Sequence, residues 1–213
     1  MSSVFKLTPL KQPRLQKYKE EAMKELNNFF EMDWKRNTPK ILVLDDRETI
    51  DLFRGEESKD WVVGWSMGSS AVCILNPENI EKESSHRKDY DIEKLVKHEL
   101  AHAFFNARFG RSKFPWVSEG IAIYLAEQLD KYKMPREFTG FLEGKDSKKI
   151  YKESGNAIKL LIDKFGKKKL FEFFSKQKEV QNPKTLEKVF KEVYGDDLNY
   201  KFFNKLSKEA LNE

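Results

Sequence analysis

Hydrophobic and polar residues follow two different patterns along this chain, and the change comes near residue 90. Before residue 90, short apolar runs alternate with segments whose apolar residues are spaced as in a helix. These segments predict helices at Leu15 to Phe30 and near Thr49 to Phe53. Ile41 to Leu44, introduced by Pro39, and Ala71 to Leu75 are apolar and rich in β-branched residues, as expected of buried strands. We expect these strands to form a small sheet.

From Asp91 onward the spacing of apolar residues is helical. Ile92, Leu95, Val96 and Ala103 share one face of a helix for which Gly110 is a suitable C-terminal stop. Further helices are predicted from the same spacing at Ser118 to Leu129, Ser154 to Phe165, Lys168 to Phe174, Pro183 to Tyr194 and Asp197 to Leu211. Gly166 and Gly195 lie behind two of them as end signals.

These elements predict an α+β fold with a small N-terminal mixed sheet and its helices, the helix after Asp91 at the centre, and a mostly α-helical C-terminal half. A cleft is expected between the two halves. The sequence has no internal repeat, low-complexity tract or obvious linker. We therefore predict one compact domain over residues 1–213, with halves at 1–103 and 104–213.

Charge and cysteine content narrow the classes of partner. The 40 basic and 35 acidic residues alternate along most of the chain, and the basic run Lys167 to Lys169 lacks the aromatic and glycine residues of a nucleic-acid platform. No apolar run suits a secretory signal or approaches the roughly 20 residues of a membrane span. Cys73 is the single cysteine, which excludes an internal disulfide. We expect a soluble, cytoplasmic protein without nucleic-acid or membrane partners; its oligomeric state is open.

His98-Glu99-Leu100-Ala101-His102 is an HExxH motif. Residues four apart on a helix lie one turn apart on the same face, so both imidazoles can reach one metal ion, with Glu99 displaced from that line as general base. The chain contains only 3 histidines. Composition alone would then produce fewer than about 0.01 such strings. The motif therefore predicts a zinc site, with one ion per chain.

A catalytic zinc site needs three protein ligands and one open position. Glu119 is the best third candidate, because it begins the next predicted helix after a connection containing Gly110 and Pro115, which lets the chain turn back. Two consecutive helices that face each other can bring Glu119 opposite both histidines. The alternative is an acidic residue that simply favours a helix N-terminus. His86 has no partner at ligand spacing and is expected to be exposed.

HELAH followed by WVSEGIAIYLA resembles the gluzincin metallopeptidases, the branch of the HExxH enzymes that includes thermolysin and the aminopeptidase N type. The resemblance extends to GWSMGSSAVCILNP, to YKESGNAIKLLIDKFGKKKLFEFF and to the region around VYGDDL. It implies zinc-dependent hydrolysis of peptide bonds, with ligands His98, His102 and Glu119 and with Glu99 as base. The chain has no GAMEN-like segment, which in aminopeptidases anchors the substrate's amino terminus, so an endopeptidase-like activity is expected.

The resemblance also implies one further catalytic residue, and the position of a strand just before the zinc helix predicts a substrate site. Tyr151, in the string Tyr-Lys-Glu-Ser-Gly before the predicted helix, corresponds to a tyrosine that points its hydroxyl at the carbonyl under attack; the alternative is a half-buried tyrosine at a helix start. Tyr124 is expected in the core. Ala71 to Leu75 is predicted to be the edge strand of the cleft, with an extended peptide bound at Ser70, Ala71 and Val72.

Two other functions stay open on the sequence. A non-catalytic protein could keep the same fold to bind peptides or regulate a partner, although binding does not need the general base that Glu99 supplies. A zinc hydrolase acting on a small amide or an epoxide would need the same motifs. The leading hypothesis is a zinc peptidase with a peptide or protein substrate.

Overall fold

The computed structural model describes residues 4–87 and 89–211, and its fold is α+β as predicted. The chain divides into two compact units, one ending at Phe104 and one beginning at Phe105. The single compact domain and the cleft stay predictions. Within the described ranges, none of the helices combines the length and apolar character needed to cross a membrane.

The sheet of the first unit is mixed. In the described residues it contains β1 (Lys40–Leu44), β2 (Gly64–Met67) and β3 (Ala71–Leu75), in the order β1-β3-β2. β1 runs parallel to β3, with Ile41 opposite Val72, and β2 runs antiparallel to it. The two predicted strands are confirmed, whereas β2 was not predicted as a strand.

The helices of the first unit are α1 (Pro13–Phe30), α2 (Arg47–Arg54) and the single turn α3 (Ile80–Glu83); α4 (Ile92–Phe109) begins in this unit and ends beyond Phe104. α4 begins behind Asp91, whose carboxylate accepts a hydrogen bond from the Lys94 backbone N–H at 3.0 Å. It packs against α1, because the rings of Phe30 and Phe104 stack with centroids 5.7 Å apart. Its end at Gly110, with a left-handed φ of 78°, is where the sequence predicts it.

Arg47 connects three segments of the first unit. Its guanidinium donates hydrogen bonds to the carbonyl oxygens of Val62 at 2.7 Å, Asp60 at 3.0 Å and Glu83 at 2.8 Å. Its backbone N–H also donates to the Glu83 carboxylate at 3.1 Å. One side chain therefore fixes the loop that leads directly into β2.

The second unit is helical in its described part and contains α5 (Pro115–Leu125), α6 (Ser147–Gln177), α7 (Pro183–Tyr194) and α8 (Tyr200–Leu211). α6 begins at Ser147 instead of Ser154, because the Asp146 side chain accepts from the backbone of Lys148 and Lys149 and caps it. Gly166 interrupts this helix with non-helical angles, φ 80° and ψ 161°. Gly166 therefore separates two helical arms, as predicted for the helices at Ser154 to Phe165 and Lys168 to Phe174.

Aromatic rings fill the core of the second unit. Trp116 of α5 stacks on Phe173 of α6 with centroids 5.9 Å apart, and Phe190 of α7 lies 4.6 Å from Tyr194. Tyr194 is 7% exposed, and its hydroxyl has no hydrogen-bond partner among the described residues. Burial of this group raises its pKa well above the ordinary value for tyrosine. The hydroxyl thus lost its hydration without gaining a protein partner.

Tyr194→Phe is expected to leave the protein as stable as before or to raise its free energy of unfolding by about 1 kcal/mol, because it removes a buried, unpaired hydroxyl. Tyr200→Phe is the matched control. The Tyr200 hydroxyl accepts from the Leu142 N–H at 3.2 Å and donates to Glu143, so its loss should cost about 1 kcal/mol. Thermal unfolding of both variants tests this. An equal loss of stability in both would mean that the Tyr194 hydroxyl is paired in solution.

Candidate metal centre

His98 and His102 lie one turn apart on α4 with their ring nitrogens converging. The two Nε2 atoms are 3.2 Å apart, and the ring planes are inclined at 79°. His98 is 6% exposed, whereas His102 is half-buried. Two neutral imidazoles at this distance can share one hydrogen bond, so the pair alone does not require a metal ion. The third donor decides what the arrangement can hold.

Glu119, in the second turn of α5, supplies that third donor. One carboxylate oxygen of Glu119 and one ring nitrogen from each of His98 and His102 all lie within 4.8 Å of one another. A carboxylate only accepts hydrogen bonds, and an imidazole lone pair repels it unless a proton or a cation lies between them. Three converging lone-pair donors therefore favour a cation.

The donor set fits zinc in both chemistry and spacing. Two zinc–nitrogen bonds of about 2.0–2.1 Å at the tetrahedral angle hold their nitrogens about 3.3 Å apart. The Nε2 atoms of His98 and His102 are 3.2 Å apart. Two imidazoles and one carboxylate are also the ligand set of many catalytic zinc sites, which leave a fourth position open. His98, His102 and Glu119 could thus hold one zinc ion.

Close packing of α5 on α6 fixes the position of Glu119 within the second unit. A methyl group added to the neighbouring Gly120 would come within 2.7 Å of the Ser154 carbonyl oxygen and 2.8 Å of Ile158 Cγ1. One added to Gly155 would come within 2.4 Å of Ile123 Cγ2. Because both glycines lack a side chain, the helix axes can approach closely, and the Glu119 backbone is held by that contact.

Glu99 follows His98 on α4 and is only 6% exposed. It lies against β2, since a methyl group added to Gly64 would be 3.2 Å from Glu99 Cγ and 3.3 Å from Glu99 Oε1. Burial, and to a smaller extent the negative charge of Glu99, raises the pKa of the Cys73 thiol on β3 to about 12. The carboxylate that the motif predicts as general base is therefore positioned beside the sheet, within the first unit.

The predicted catalytic tyrosine lies on α6 itself. Tyr151 is half-buried and stands in the second turn of that helix, so the expectation that it precedes the helix is wrong, while its role stays a prediction. Another tyrosine was missed by the sequence analysis. Burial and then the negative charge of Glu119 raise the pKa of Tyr132, whose carbonyl oxygen accepts from Asn156 Nδ2 at 2.7 Å. No motif marks Tyr132, because its position depends on that contact with α6.

The prediction that Ala71 to Leu75 forms the edge strand is wrong. β3 is central, so Ala71 pairs with Lys40 on one side and Met67 on the other. Val72 is likewise enclosed between β1 and β2, and the Ser70 carbonyl oxygen accepts from the Lys40 N–H at 3.0 Å. A peptide therefore cannot add alongside this strand, and Ser70, Ala71 and Val72 lose the main-chain argument for substrate binding.

The edge strand near Glu99 is β2. The Leu75 N–H donates to the Val63 carbonyl oxygen at 2.8 Å, so alternate residues along the strand, Trp65 and Met67, direct their backbone groups to β3. Gly64 and Ser66 direct theirs to the opposite side. Among the described residues, no strand pairs with β2 on that outer side. An extended chain could pair with β2 at these two positions.

His86 and Tyr124, the remaining residues discussed from the sequence, are not among the three converging donors. His86 is half-buried instead of exposed, with Nε2 2.9 Å from the Trp61 carbonyl oxygen and its ring 4.3 Å from that of Tyr90. Tyr124 is also half-buried, so its expected place in the core is only partly reached. Neither belongs to the group of converging donors.

Comparisons with protein-family models, with curated proteins and with solved structures found no match to this chain. The resemblance to gluzincins therefore stays a prediction.

Gly120→Ala is expected to lower the free energy of unfolding by about 1–3 kcal/mol, because the added methyl group overlaps a backbone oxygen that cannot move aside. It should also weaken metal retention, since Glu119 is the adjacent residue. Ser118→Ala, on the same helix but with a weak hydrogen bond of 3.3 Å to the Pro115 carbonyl, is the control. Unfolding and metal content are measured together; wild-type values for Gly120→Ala would contradict the packing argument.

Proposed function

We propose that this protein is a zinc-dependent peptidase, with His98, His102 and Glu119 as ligands. The observation that carries the proposal is the convergence of the three donor atoms within 4.8 Å, with two Nε2 atoms 3.2 Å apart. When bound, a zinc ion supplies a Lewis acid that polarises the scissile carbonyl and lowers the pKa of the attacking water. The proposal places the protein in the cytoplasm, as its single cysteine suggests.

Glu99 is the proposed general base. It takes the proton from the attacking water and later passes it to the leaving amine. The neighbouring His98 ligates the metal, so the carboxylate is held close to the reacting atoms without being a ligand itself. Its burial beside β2 supports this role, because the surrounding residues restrict where the side chain can point.

The substrate is proposed to be an extended peptide bound along β2. Its main chain would pair with the outward N–H and C=O groups of Gly64 and Ser66. Gly64 is also the residue of β2 that lies against Glu99. Main-chain pairing would therefore bring a peptide bond of the substrate next to the base. Such pairing depends little on the substrate's side chains, as expected of an endopeptidase-like enzyme.

About one zinc ion per chain is expected in protein purified without added metal, because two imidazoles and a carboxylate form a tetrahedral site with one open position. Glu119→Ala should lose most of this zinc. Glu187→Ala, which removes an exposed glutamate of α7, is the matched control and should keep it. Metal analysis by mass spectrometry decides; zinc retention by Glu119→Ala would remove Glu119 from the ligand set.

Glu99→Gln should keep the zinc and lose activity by about a hundredfold or more, because the amide preserves the shape but cannot accept a proton. The measurement is turnover of a peptide library by both proteins. Peptides that bind to both without cleavage would point to a non-catalytic binding protein. Hydrolysis of small amides or epoxides alone, again abolished by Glu99→Gln, would point to a hydrolase of another substrate class.

Tyr151 is proposed to donate a hydrogen bond to the oxyanion that forms when the carbonyl is attacked. Tyr151→Phe should lower kcat by about a hundredfold with KM and zinc content nearly unchanged, since one preorganised donor acts mainly in the transition state. Tyr124→Phe, a half-buried tyrosine of α5, is the control and should retain wild-type kcat. Normal turnover by Tyr151→Phe would return this residue to a packing role.

A further inference from the structure

Gly64 occupies an unusual position in the sheet. It pairs with Ile74 across the antiparallel ladder, and directly opposite residues project to the same face. A side chain at position 64 would point at α4, where its first carbon would be 3.0 Å from Leu95 Cδ1 and 3.2 Å from Glu99 Cγ. These separations are shorter than ordinary contacts between carbon atoms, which lie near 3.5–4.0 Å.

Other glycines of the first unit have a different reason to be glycine. Gly55 and Gly68 have φ values of 74° and 60°, and a methyl group at either would meet nothing within 4 Å. They are required by backbone conformation. Gly64 has no such φ and lies in a regular strand, where glycine weakens the sheet. Its explanation is therefore the close approach of Leu95 and Glu99 of α4.

Leu95 and Glu99 occupy successive turns on the same face of α4. Their side chains together fill the space that a residue at position 64 would need. The Leu95 contact is with the end of a flexible side chain, which can rotate away. Glu99 meets the strand at its middle carbon, and that atom determines where the carboxylate points.

We propose that Gly64 is a positioning residue: the bare backbone of β2 at this point sets the location of the Glu99 carboxylate. This inference rests on the proposed function, because positioning matters only if Glu99 is the base. Any side chain at position 64 would push the Glu99 side chain aside and move its carboxylate away from the attacking water. The same strand position thus directs its backbone groups to the substrate and its open face to the base.

The test is a pair of double-mutant cycles. Gly64→Ala is expected to lower kcat by about tenfold to a hundredfold with zinc content and KM nearly unchanged, because small misplacements of a catalytic group have effects of this size. In the Glu99→Gln background, where no base remains to be displaced, Gly64→Ala should have almost no further effect on kcat. Met67→Ala, on the same strand with an exposed side chain, is the control for strand disturbance.

The second cycle is independent of activity. Gly64→Ala should lower the midpoint of thermal unfolding in the wild type and lower it by clearly less in Glu99→Ala, where the space is vacant. A wild-type kcat in Gly64→Ala would overturn the inference, and so would equal losses of kcat in both backgrounds. If the wild type cleaves no peptide, the proposed function fails, and equal shifts in the two unfolding midpoints would then overturn the inference separately.

Discussion

Close packing against glycine backbone holds the backbone of Glu119 and the side chain of Glu99 in place. Gly120 lets α5 approach the Ser154 carbonyl of α6, and Glu119 is the residue beside that contact. Gly64 lets α4 approach β2, and Glu99 lies at that contact. Hard-core repulsion is short-ranged, so a contact of this kind fixes a position more sharply than a flexible ion pair does. Each unit contributes one such contact.

The parts of the centre that depend on local geometry could be predicted from the sequence. His98 and His102 converge because the helix repeat places residues four apart on one face, whatever surrounds the helix. The cap at Asp91 and the stop at Gly110 are local signals of the same kind. Glu119 required one further assumption, that the following helix turns back, and its carboxylate does converge on both histidines.

The parts that depend on non-local pairing could not be predicted. Apolar runs identified β1 and β3 as strands. The order of the strands depends on which of them pair through backbone hydrogen bonds, and the pattern of residues does not show this. β2 is four residues long and includes Gly64 and Ser66, so it lacks the composition of a strand and was missed. Because β2 was missed, β3 was predicted to lie at the edge of the sheet, whereas it lies at the centre. The start of α6 is a different case, since Asp146 was available as a capping signal.

Cys73 has a consequence for how the protein would withstand oxidants. Its side chain is fully buried in the central strand, and burial raises its pKa to about 12, so the neutral thiol predominates at neutral pH. Thiolates are the species that attack peroxides and bind soft metals. The single sulfhydryl is therefore a weak nucleophile and a weak ligand for soft metals, and it is expected to form sulfenic acid slowly. The proposed hydrolytic centre would therefore be insensitive to changes in the thiol–disulfide balance of its surroundings.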